Sequence, residues 1–255
     1  MYDIIMKKSG RKIHMLYRSH RGGVYYTPEN TMPAFRYALN AGYDYIETDP
    51  QLTRDGVVVL MHDGTVNRTC RYADGSPIRE PVRVSDLTYA ELQQFDAGIA
   101  MGEAFRGTRI PRLDELLALA EGSGVTVALD KKIGTDDVDA LVDAVRPFRT
   151  KVCFSTSDTE RIRRIQARMP DAAFDYDVNL EDEALTDVCR LVEQERLLFW
   201  LYLDRPNFSW LAQKAKASPE NCERVRAFGR IGIGNICNPV DVMDALAFRP
   251  DVIEL

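Results

Sequence analysis

The second half of the chain alternates short apolar runs with segments of helical periodicity, and this alternation most constrains the fold. Short runs rich in β-branched and aromatic residues are typical of strands, whereas apolar residues on one helical face are typical of amphipathic helices. Strands are predicted at 125–130, 152–155, 172–176, 197–203, 230–233 and 252–255, and helices at 113–121, 136–145, 158–169, 181–195, 210–217 and 240–247. Repeated strand–helix units place their strands side by side, so the pattern predicts an α/β fold with a parallel sheet.

Three earlier extended runs, at 15–18, 43–49 and 57–61, raise the number of expected strands to nine. A closed (β/α)8 barrel needs eight strands, so one run is surplus, and 57–61 and 172–176 are the candidates. A doubly wound open sheet is the alternative, but no Gly-x-Gly-x-x-Gly follows the first strand. The length of 255 residues and the 45% hydrophobic fraction suit a single domain with a large core.

Two carboxylates, Glu47 and Asp49, interrupt the apolar run at 43–49. Residues two apart in a strand face the same side of the sheet. Like charges held together raise each other's pKa unless a cation lies between them. Oxygen ligands favour a hard cation, Mg²⁺ or Ca²⁺, over zinc. The spacing therefore predicts a divalent cation held by Glu47 and Asp49.

A hairpin follows, because Asp55-Gly56 between extended runs is typical of a two-residue turn. Strand pairing about that turn places His62 opposite Asp49, which brings an imidazole to the two carboxylates. Histidine titrates near neutral pH and suits proton transfer. Of the other two histidines, His14 lies in no motif and is interpreted as structural.

Five short motifs occur in one order along the chain. They are His20-Arg21-Gly22, Pro28-Glu29-Asn30-Thr31, Glu47-x-Asp49, Thr53-x-Asp55-Gly56 and His62-Asp63, followed by Asn67-Arg68-Thr69 and Ile110-Pro111-Arg112-Leu113. This ordered set, from residue 16 to about 132, resembles the glycerophosphodiester phosphodiesterase family. The resemblance implies a TIM (β/α)8 barrel, a single domain over 1–255, with a small cap inserted at approximately 67–112 after the third extended segment.

The resemblance also implies roles for individual residues. His20 and His62 would be the acid–base pair, Arg21 and Lys132 the phosphate ligands, and Glu47, Asp49 and Asp130 the metal ligands. Glu29, Asn30, Asp63 and Asn238 would support them. Asn30 is equally consistent with a helix cap, Asp63 with a turn cap, and Asp130 with a helix N-cap after a strand.

The chain departs from the family pattern at two places. Leu129-Asp130-Lys131-Lys132 stands where the family has Leu-Glu-x-Lys, so the third carboxylate is one methylene shorter. Asn235-Ile236-Cys237-Asn238 stands where the family has Trp-Thr-Val-Asn, which removes an aromatic wall. Candidates for replacing this aromatic wall are Tyr25, Tyr26, Trp200 and Tyr202. Core packing is the better interpretation of Trp200.

The function implied is metal-dependent hydrolysis of a glycerophosphodiester to glycerol 3-phosphate and an alcohol, through a cyclic phosphate. One alternative is a phospholipase D-like lyase that acts on lysophospholipid or sphingomyelin. It would need an apolar entry surface, for which Tyr25, Tyr26 and the 99–106 loop are candidates. The other alternative is a non-catalytic barrel that binds phosphodiesters or phosphoinositides.

Composition narrows the partners and the compartment. The net charge of −6 disfavours nucleic acid, because a phosphate backbone requires clustered Lys and Arg. The five cysteines are odd in number and widely spaced, which predicts scattered buried thiols in a reducing compartment rather than a disulfide framework or a zinc site. No membrane-spanning apolar run is found, and 1–19 lacks the apolar core of a signal peptide. We therefore expect a cytoplasmic enzyme that acts on a small molecule, in an oligomeric state left open.

Overall fold

A computed structural model of the chain describes residues 5–8, 11–178, 180–205 and 209–255. The strands in these ranges are β1 (Ile5–Lys8), β2 (Arg11–His14), β3 (Leu16–Ser19), β4 (Tyr45–Thr48), β5 (Pro50–Leu52), β6 (Val58–Leu60), β7 (Arg71–Tyr72), β8 (Phe95–Asp96), β9 (Thr126–Leu129), β10 (Lys151–Thr156), β11 (Ala173–Asp177), β12 (Leu197–Tyr202), β13 (Arg230–Gly234) and β14 (Val252–Glu254). The α-helices are α1 (Met32–Ala41), α2 (Tyr89–Leu92), α3 (Leu113–Ala120), α4 (Val138–Val145), α5 (Thr159–Arg168), α6 (Asp182–Leu191), α7 (Pro219–Arg226) and α8 (Pro239–Ala247).

Eight of these strands form a closed parallel barrel in the order β3, β4, β9, β10, β11, β12, β13 and β14, with β14 pairing with β3. Strands that follow the chain order around the barrel are the mark of a (β/α)8 barrel. The predicted barrel is confirmed, and the doubly wound sheet is excluded.

The surplus extended run is the one at 57–61. It forms β6, which pairs antiparallel with β5 outside the barrel. The other candidate, at 172–176, is the barrel strand β11, which is paired in parallel with β10 and β12. The run at 57–61 is set apart because a tight hairpin turn joins it to β5, and a tight turn permits only antiparallel pairing.

The chain divides into two compact units. The central unit is Ser19–Val152, and the terminal unit is Met1–Arg18 with Cys153–Leu255. Every candidate site residue except Asn238 belongs to the central unit. The single-domain expectation stays a prediction.

The terminal unit contains a buried ion cluster. The Arg18 guanidinium pairs with Asp175 and, at 2.7 Å, with Glu254, and it stacks on the Trp200 ring 3.7 Å from the centroid. Buried charges are tolerated when they are paired and hydrogen-bonded in this way. Trp200 is 2% exposed, which confirms its interpretation as a core residue.

In the central unit, the segment expected as a cap has an apolar core of its own. This core joins the segment to the strand before it, because Val59 and Met61 pack among its side chains. The other buried members are Val66, Cys70, Ile78, Val84, Leu92, Phe95, Ala97 and Ile110. We call residues 67–112 the cap segment below; its place beside the barrel mouth stays a prediction.

Two helix predictions need correction. The α-helix predicted at 210–217 is wrong, since Ser209–Gln213 is a short 3₁₀ helix. The α-helix of this region is α7, which sequence reasoning missed although Ser218 and Pro219 carry a start signal. The Ser218 hydroxyl accepts from the Asn221 N–H at 3.1 Å and begins the helix there.

Two further observations concern the cysteines and the helices. All five cysteines are free thiols. The prediction of buried thiols is confirmed for Cys70, Cys153 and Cys222 but is wrong for Cys189, which is half-buried, and for Cys237, which is exposed. Within the described ranges, no helix has the length and apolar character needed to cross a bilayer. The cytoplasmic location stays a prediction.

Candidate active site

Three carboxylates converge where two neighbouring barrel strands end. Strands β4 and β9 pair in parallel with Glu47 opposite Ala128, and the Asp130 N–H extends this ladder by donating to the Thr48 carbonyl at 2.9 Å. Carboxyl ends of parallel strands meet at one edge, where barrel enzymes place their functional residues. Glu47, Asp49 and Asp130 each offer an oxygen, and these oxygens lie within 4.8 Å of one another. The structure thus brings together the three predicted metal ligands.

The donor set fits a hard divalent cation. Glu47 and Asp49 are 5% and 1% exposed, so their charges gain little from solvent. Lys132 Nζ lies 3.5 Å from Asp49 Oδ1 and 3.4 Å from Asp130 Oδ2, and Arg21 Nε lies 3.6 Å from Asp49 Oδ2. The three carboxylates supply oxygen-only ligands, which are those that Mg²⁺ and Ca²⁺ prefer.

The loop after β3 brings Arg21 to this cluster by its backbone as well as its side chain. Arg21 has φ 50° and ψ 33°, a left-handed conformation that turns its N–H toward Glu47 Oε2 at 2.8 Å. Gly22 follows at φ 83°, and a Cβ there would lie 2.8 Å from the Ala34 Cβ on α1. Only glycine fits this conformation and this close approach.

Asn30 holds Asp49 in place. Its Nδ2 donates to Asp49 Oδ2 at 2.7 Å, while its Oδ1 accepts from the Asp49 N–H at 3.1 Å and from the Thr48 hydroxyl at 2.7 Å. The helix-cap interpretation does not apply to Asn30, because Thr31 is the N-cap of α1. Asn30 is buried and left-handed, with φ 56°, a conformation that asparagine tolerates.

The predicted pairing of His62 with Asp49 is wrong by one residue. The hairpin pairs Leu52 with Val58, and the Met61 N–H donates to the Asp49 carbonyl at 2.9 Å. The turn has three residues instead of two, and it ends on Gly56 at φ 78°. A shift of one residue exchanges the two faces of a strand, so Met61 stands opposite Asp49 and His62 follows it.

Asp63 fixes the His62 ring. His62 Nδ1 lies 2.7 Å from Asp63 Oδ1. Hydrogen bonds from Arg68, and then the contact with His62, hold the pKa of Asp63 well below its usual range despite partial burial. Of the two roles weighed for Asp63, the contact with His62 corresponds to orienting a neighbour.

Glu29 lies between two guanidinium groups. Its Oε1 accepts from Arg21 NH1 at 3.1 Å and from Arg68 NH2 at 2.7 Å. Burial acts to raise the pKa of Glu29, but Arg68 and Arg21 outweigh it and leave this pKa below its usual value. Glu29 is therefore an anion that fixes the Arg21 side chain.

Two predicted site residues remain, His20 and Asn238. His20 opens the 3₁₀ helix His20–Gly22 next to Arg21, and its side chain is half-buried. Asn238 is the N-cap of α8 in the terminal unit and accepts from the Val240 and Asp241 N–H groups. The roles of His20 and Asn238 in a site stay predictions.

The aromatic candidates divide into buried and exposed. Tyr25 and Tyr26 are 54% and 65% exposed on the loop that follows Arg21. Tyr202 donates to Asp177 at 2.5 Å within the terminal unit.

Sequence reasoning missed two residues of this network. Arg68 was noted only as part of a motif, yet it contacts both Glu29 and Asp63. Gln51 Nε2 donates to the Met61 and Asp63 carbonyls at 2.5 and 2.6 Å and so fixes the turn that carries His62. The Asn67-Arg68-Thr69 motif was a signal for Arg68, and no pattern singled out Gln51.

Comparisons with known proteins identify a matching family. The model of the glycerophosphoryl diester phosphodiesterase family matches residues 20–182, which is more than half of the chain. A glycerophosphodiester phosphodiesterase of Caldanaerobacter subterraneus is 35% identical over 158 residues, which cover 60% of this chain and 62% of that protein. A putative glycerophosphodiester phosphodiesterase of Bacillus subtilis is 46% identical over 99 residues, 39% of this chain and 37% of that protein. The matched region spans less than two thirds of either relative.

Solved structures share the fold. A putative glycerophosphoryl diester phosphodiesterase from Silicibacter pomeroyi superposes with a TM-score of 0.77 at 23% identity, over 94% of this chain and 89% of that one. An Oleispira antarctica phosphodiesterase, solved in complex with the product sn-glycerol-3-phosphate, gives a TM-score of 0.75 at 19% identity, over 94% and 92%. At these identities the likeness concerns the fold alone.

Proposed function

Because the chain belongs to the glycerophosphoryl diester phosphodiesterase family, we propose that it hydrolyses a glycerophosphodiester to glycerol 3-phosphate and an alcohol with the help of a divalent cation. The observation that carries this proposal is the convergence of Glu47, Asp49 and Asp130 beside Arg21 and Lys132. A divalent cation held by the three carboxylates would polarise a phosphate and neutralise the charge that develops on it.

Arg21 has a donor to offer such a phosphate. Its Nε is buried and has no hydrogen-bond partner within the described ranges, although it lies at ion-pair distance from Asp49. A buried donor without a partner costs free energy that a ligand oxygen would recover. Lys132, 26% exposed and close to two of the carboxylates, supplies a second positive charge for the same anion.

His20 and His62 are proposed to move the protons. One histidine takes the proton of the glycerol 2-hydroxyl as its oxygen bonds to phosphorus, and the other gives a proton to the departing alcohol. A cyclic phosphate results. In the second half, water attacks phosphorus, its proton goes to one histidine, and the 2-oxygen receives a proton from the other.

A direct assay tests this proposal. Purified protein is expected to release glycerol 3-phosphate from glycerophosphocholine or glycerophosphoethanolamine, to stop in EDTA, and to recover with Mg²⁺ or Ca²⁺. Turnover that persists unchanged in EDTA would contradict the cation. A lack of turnover of both substrates with either ion would contradict the hydrolase.

A lipid substrate is the second candidate, and the exposure of Tyr25 and Tyr26 favours it. Aromatic side chains with one apolar and one polar end suit a lipid–water boundary. Lysophosphatidylcholine and sphingomyelin in the same assay distinguish the two, since a lyase would leave a cyclic phosphate instead of a monoester. Preference for these lipids over glycerophosphocholine would replace the first proposal.

Asp130, one methylene shorter than the glutamate of the family pattern, is proposed to bind the cation directly. Its oxygen lies within 4.8 Å of those of Glu47 and Asp49 despite this shortening, so a small shift of the ion brings all three into reach, and mixed shells of carboxylate and water are common. Asp130→Glu is expected to stay active, whereas Asp130→Asn loses most activity and binds Mg²⁺ or Ca²⁺ more weakly. Titration calorimetry and turnover measure both effects. Unchanged affinity and full activity in Asp130→Asn would remove Asp130 from the site.

A further inference from the structure

We propose that Arg68 is a positioning residue that sets the His62 ring through Asp63 and the Arg21 side chain through Glu29. Arg68 lies at the start of the cap segment and is not among the residues given a role above. The inference rests on the proposed function, because it assigns work to His62 and Arg21.

The Arg68 guanidinium makes bidentate hydrogen bonds to two carboxylates, those of Asp63 and Glu29. Its Nε and NH2 donate to Asp63 Oδ2 and Oδ1 at 2.7 and 3.0 Å, and its NH1 and NH2 donate to Glu29 Oε2 and Oε1 at 2.9 and 2.7 Å. One planar guanidinium therefore holds both oxygens of two carboxylates. Lysine cannot reproduce this arrangement, because an ammonium group is a point charge without a planar fork.

The contact of Arg68 with Asp63 determines which His62 nitrogen is available for proton transfer. Asp63 is ionised at neutral pH, as an aspartate ordinarily is, and Arg68 lowers its pKa further; an ionised carboxylate only accepts hydrogen bonds. At 2.7 Å from Asp63 Oδ1, the His62 Nδ1 must therefore carry the hydrogen. The Nε2 atom is then left for proton transfer to or from a substrate, in one fixed ring orientation.

The contact of Arg68 with Glu29 determines the orientation of the Arg21 side chain. Glu29 Oε1 is shared between Arg68 NH2 and Arg21 NH1, at 2.7 and 3.1 Å. This contact occupies the NH1 end of Arg21 and leaves its Nε near Asp49 without a hydrogen bond within the described ranges. Arg68 thus fixes, by two separate contacts, a proton-transfer group and a phosphate ligand.

The burial of one partner, Glu29, distinguishes Arg68 from an ordinary surface ion pair. The Arg68 side chain is 47% exposed, but Glu29 is only 9% exposed. The chain offers a matched control in Arg54, which is 54% exposed and pairs with the exposed Glu91 at 2.8 Å. Exposed pairs of the control kind contribute little to stability, so Arg54 tests what the loss of a surface arginine does by itself.

The experiment compares Arg68→Met, Arg68→Lys and Arg54→Met in glycerophosphodiester turnover, with thermal melting as the check on folding. Arg68→Met is expected to lower kcat by about 10- to 100-fold, the usual scale for a displaced catalytic group, and to leave Mg²⁺ or Ca²⁺ affinity unchanged. Arg68→Lys restores part of this loss because it keeps the charge. Arg54→Met is expected to match the wild type.

A double-mutant cycle separates positioning from general destabilisation. In the His62→Ala background the loss of kcat caused by Arg68→Met is expected to shrink to about threefold. The reason is that the contact through Asp63 then has no imidazole ring to orient. A loss of the same size in both backgrounds would overturn the inference. Wild-type kcat in Arg68→Met would also overturn it.

Imidazole ¹⁵N NMR gives a readout that does not depend on turnover. With the His62 signals assigned by His62→Ala, the neutral ring of the wild type is expected to carry its hydrogen on Nδ1, and Arg68→Met to shift the tautomers toward Nε2–H. An inactive wild type that shows this shift would reject the proposed function and keep the positioning role. An unchanged tautomer in Arg68→Met would reject the positioning role alone.

Discussion

Glu47→Gln and Asp49→Asn are each expected to abolish turnover and to weaken Mg²⁺ or Ca²⁺ binding while the fold survives. Each substitution is nearly isosteric but removes one of three convergent carboxylates, the set on which the cation site depends. Loss of a single electrostatic group at a reacting centre costs about 10²–10³ in rate, and loss of a ligand costs at least that much. Activity and calorimetric titration measure the two effects.

The buried position of Asp49 makes a folding control necessary. Asp49 accepts from Asn30 and lies near Arg21 and Lys132, so near-UV circular dichroism must show native packing in the variant. Glu103→Gln provides the matched control, since Glu103 is 74% exposed and forms a surface ion pair with Arg106. Unchanged metal affinity in both Glu47→Gln and Asp49→Asn would reject the cation site.

His20→Ala and His62→Ala are each expected to lower turnover by about 10²–10⁴-fold, the usual contribution of a positioned acid or base. Substrate binding should change little, because the proposed phosphate ligands Arg21 and Lys132 remain. The contact of His62 Nδ1 with Asp63 leaves the other ring nitrogen for this chemistry. Steady-state kinetics with glycerophosphocholine separates kcat from KM.

The third histidine serves as the control for this pair. His14 lies in no motif, and His14→Ala is expected to keep wild-type turnover. If either His20→Ala or His62→Ala turns over substrate at a near-normal rate, that histidine is structural and the paired mechanism fails.

The cation site was predictable to different degrees from the sequence. Glu47 and Asp49 could be placed together because strand geometry fixes the faces of residues two apart. Asp130 could be added only through the family resemblance, since the pairing of β4 with β9 joins residues far apart in sequence. Strand alternation and turn geometry relate residues that are close in sequence, so they cannot predict this pairing.

The hairpin shows where local rules fail even at short range. Asp55-Gly56 suits both a two-residue and a three-residue turn, because each places glycine in the left-handed region. The chain adopts the three-residue turn, and the pairing moves by one residue. The motif around Arg68 marked the residue, but its hydrogen bonds to Asp63 and Glu29 depend on side-chain conformations that no spacing encodes.

The cap segment and β6 share one apolar core, so a chimera between two proteins of this fold would have to exchange them together. Val59 and Met61 face that core from the hairpin, and His62 follows Met61 directly. A chimera cut at residue 67 would therefore separate the cap segment from three of the ten buried members of this core, Val59, Met61 and Val66. A graft that keeps this core whole would have to begin at β5 and end near Ile110. Such a graft carries His62 with it, so the cap segment and the proposed proton-transfer residue would be exchanged together.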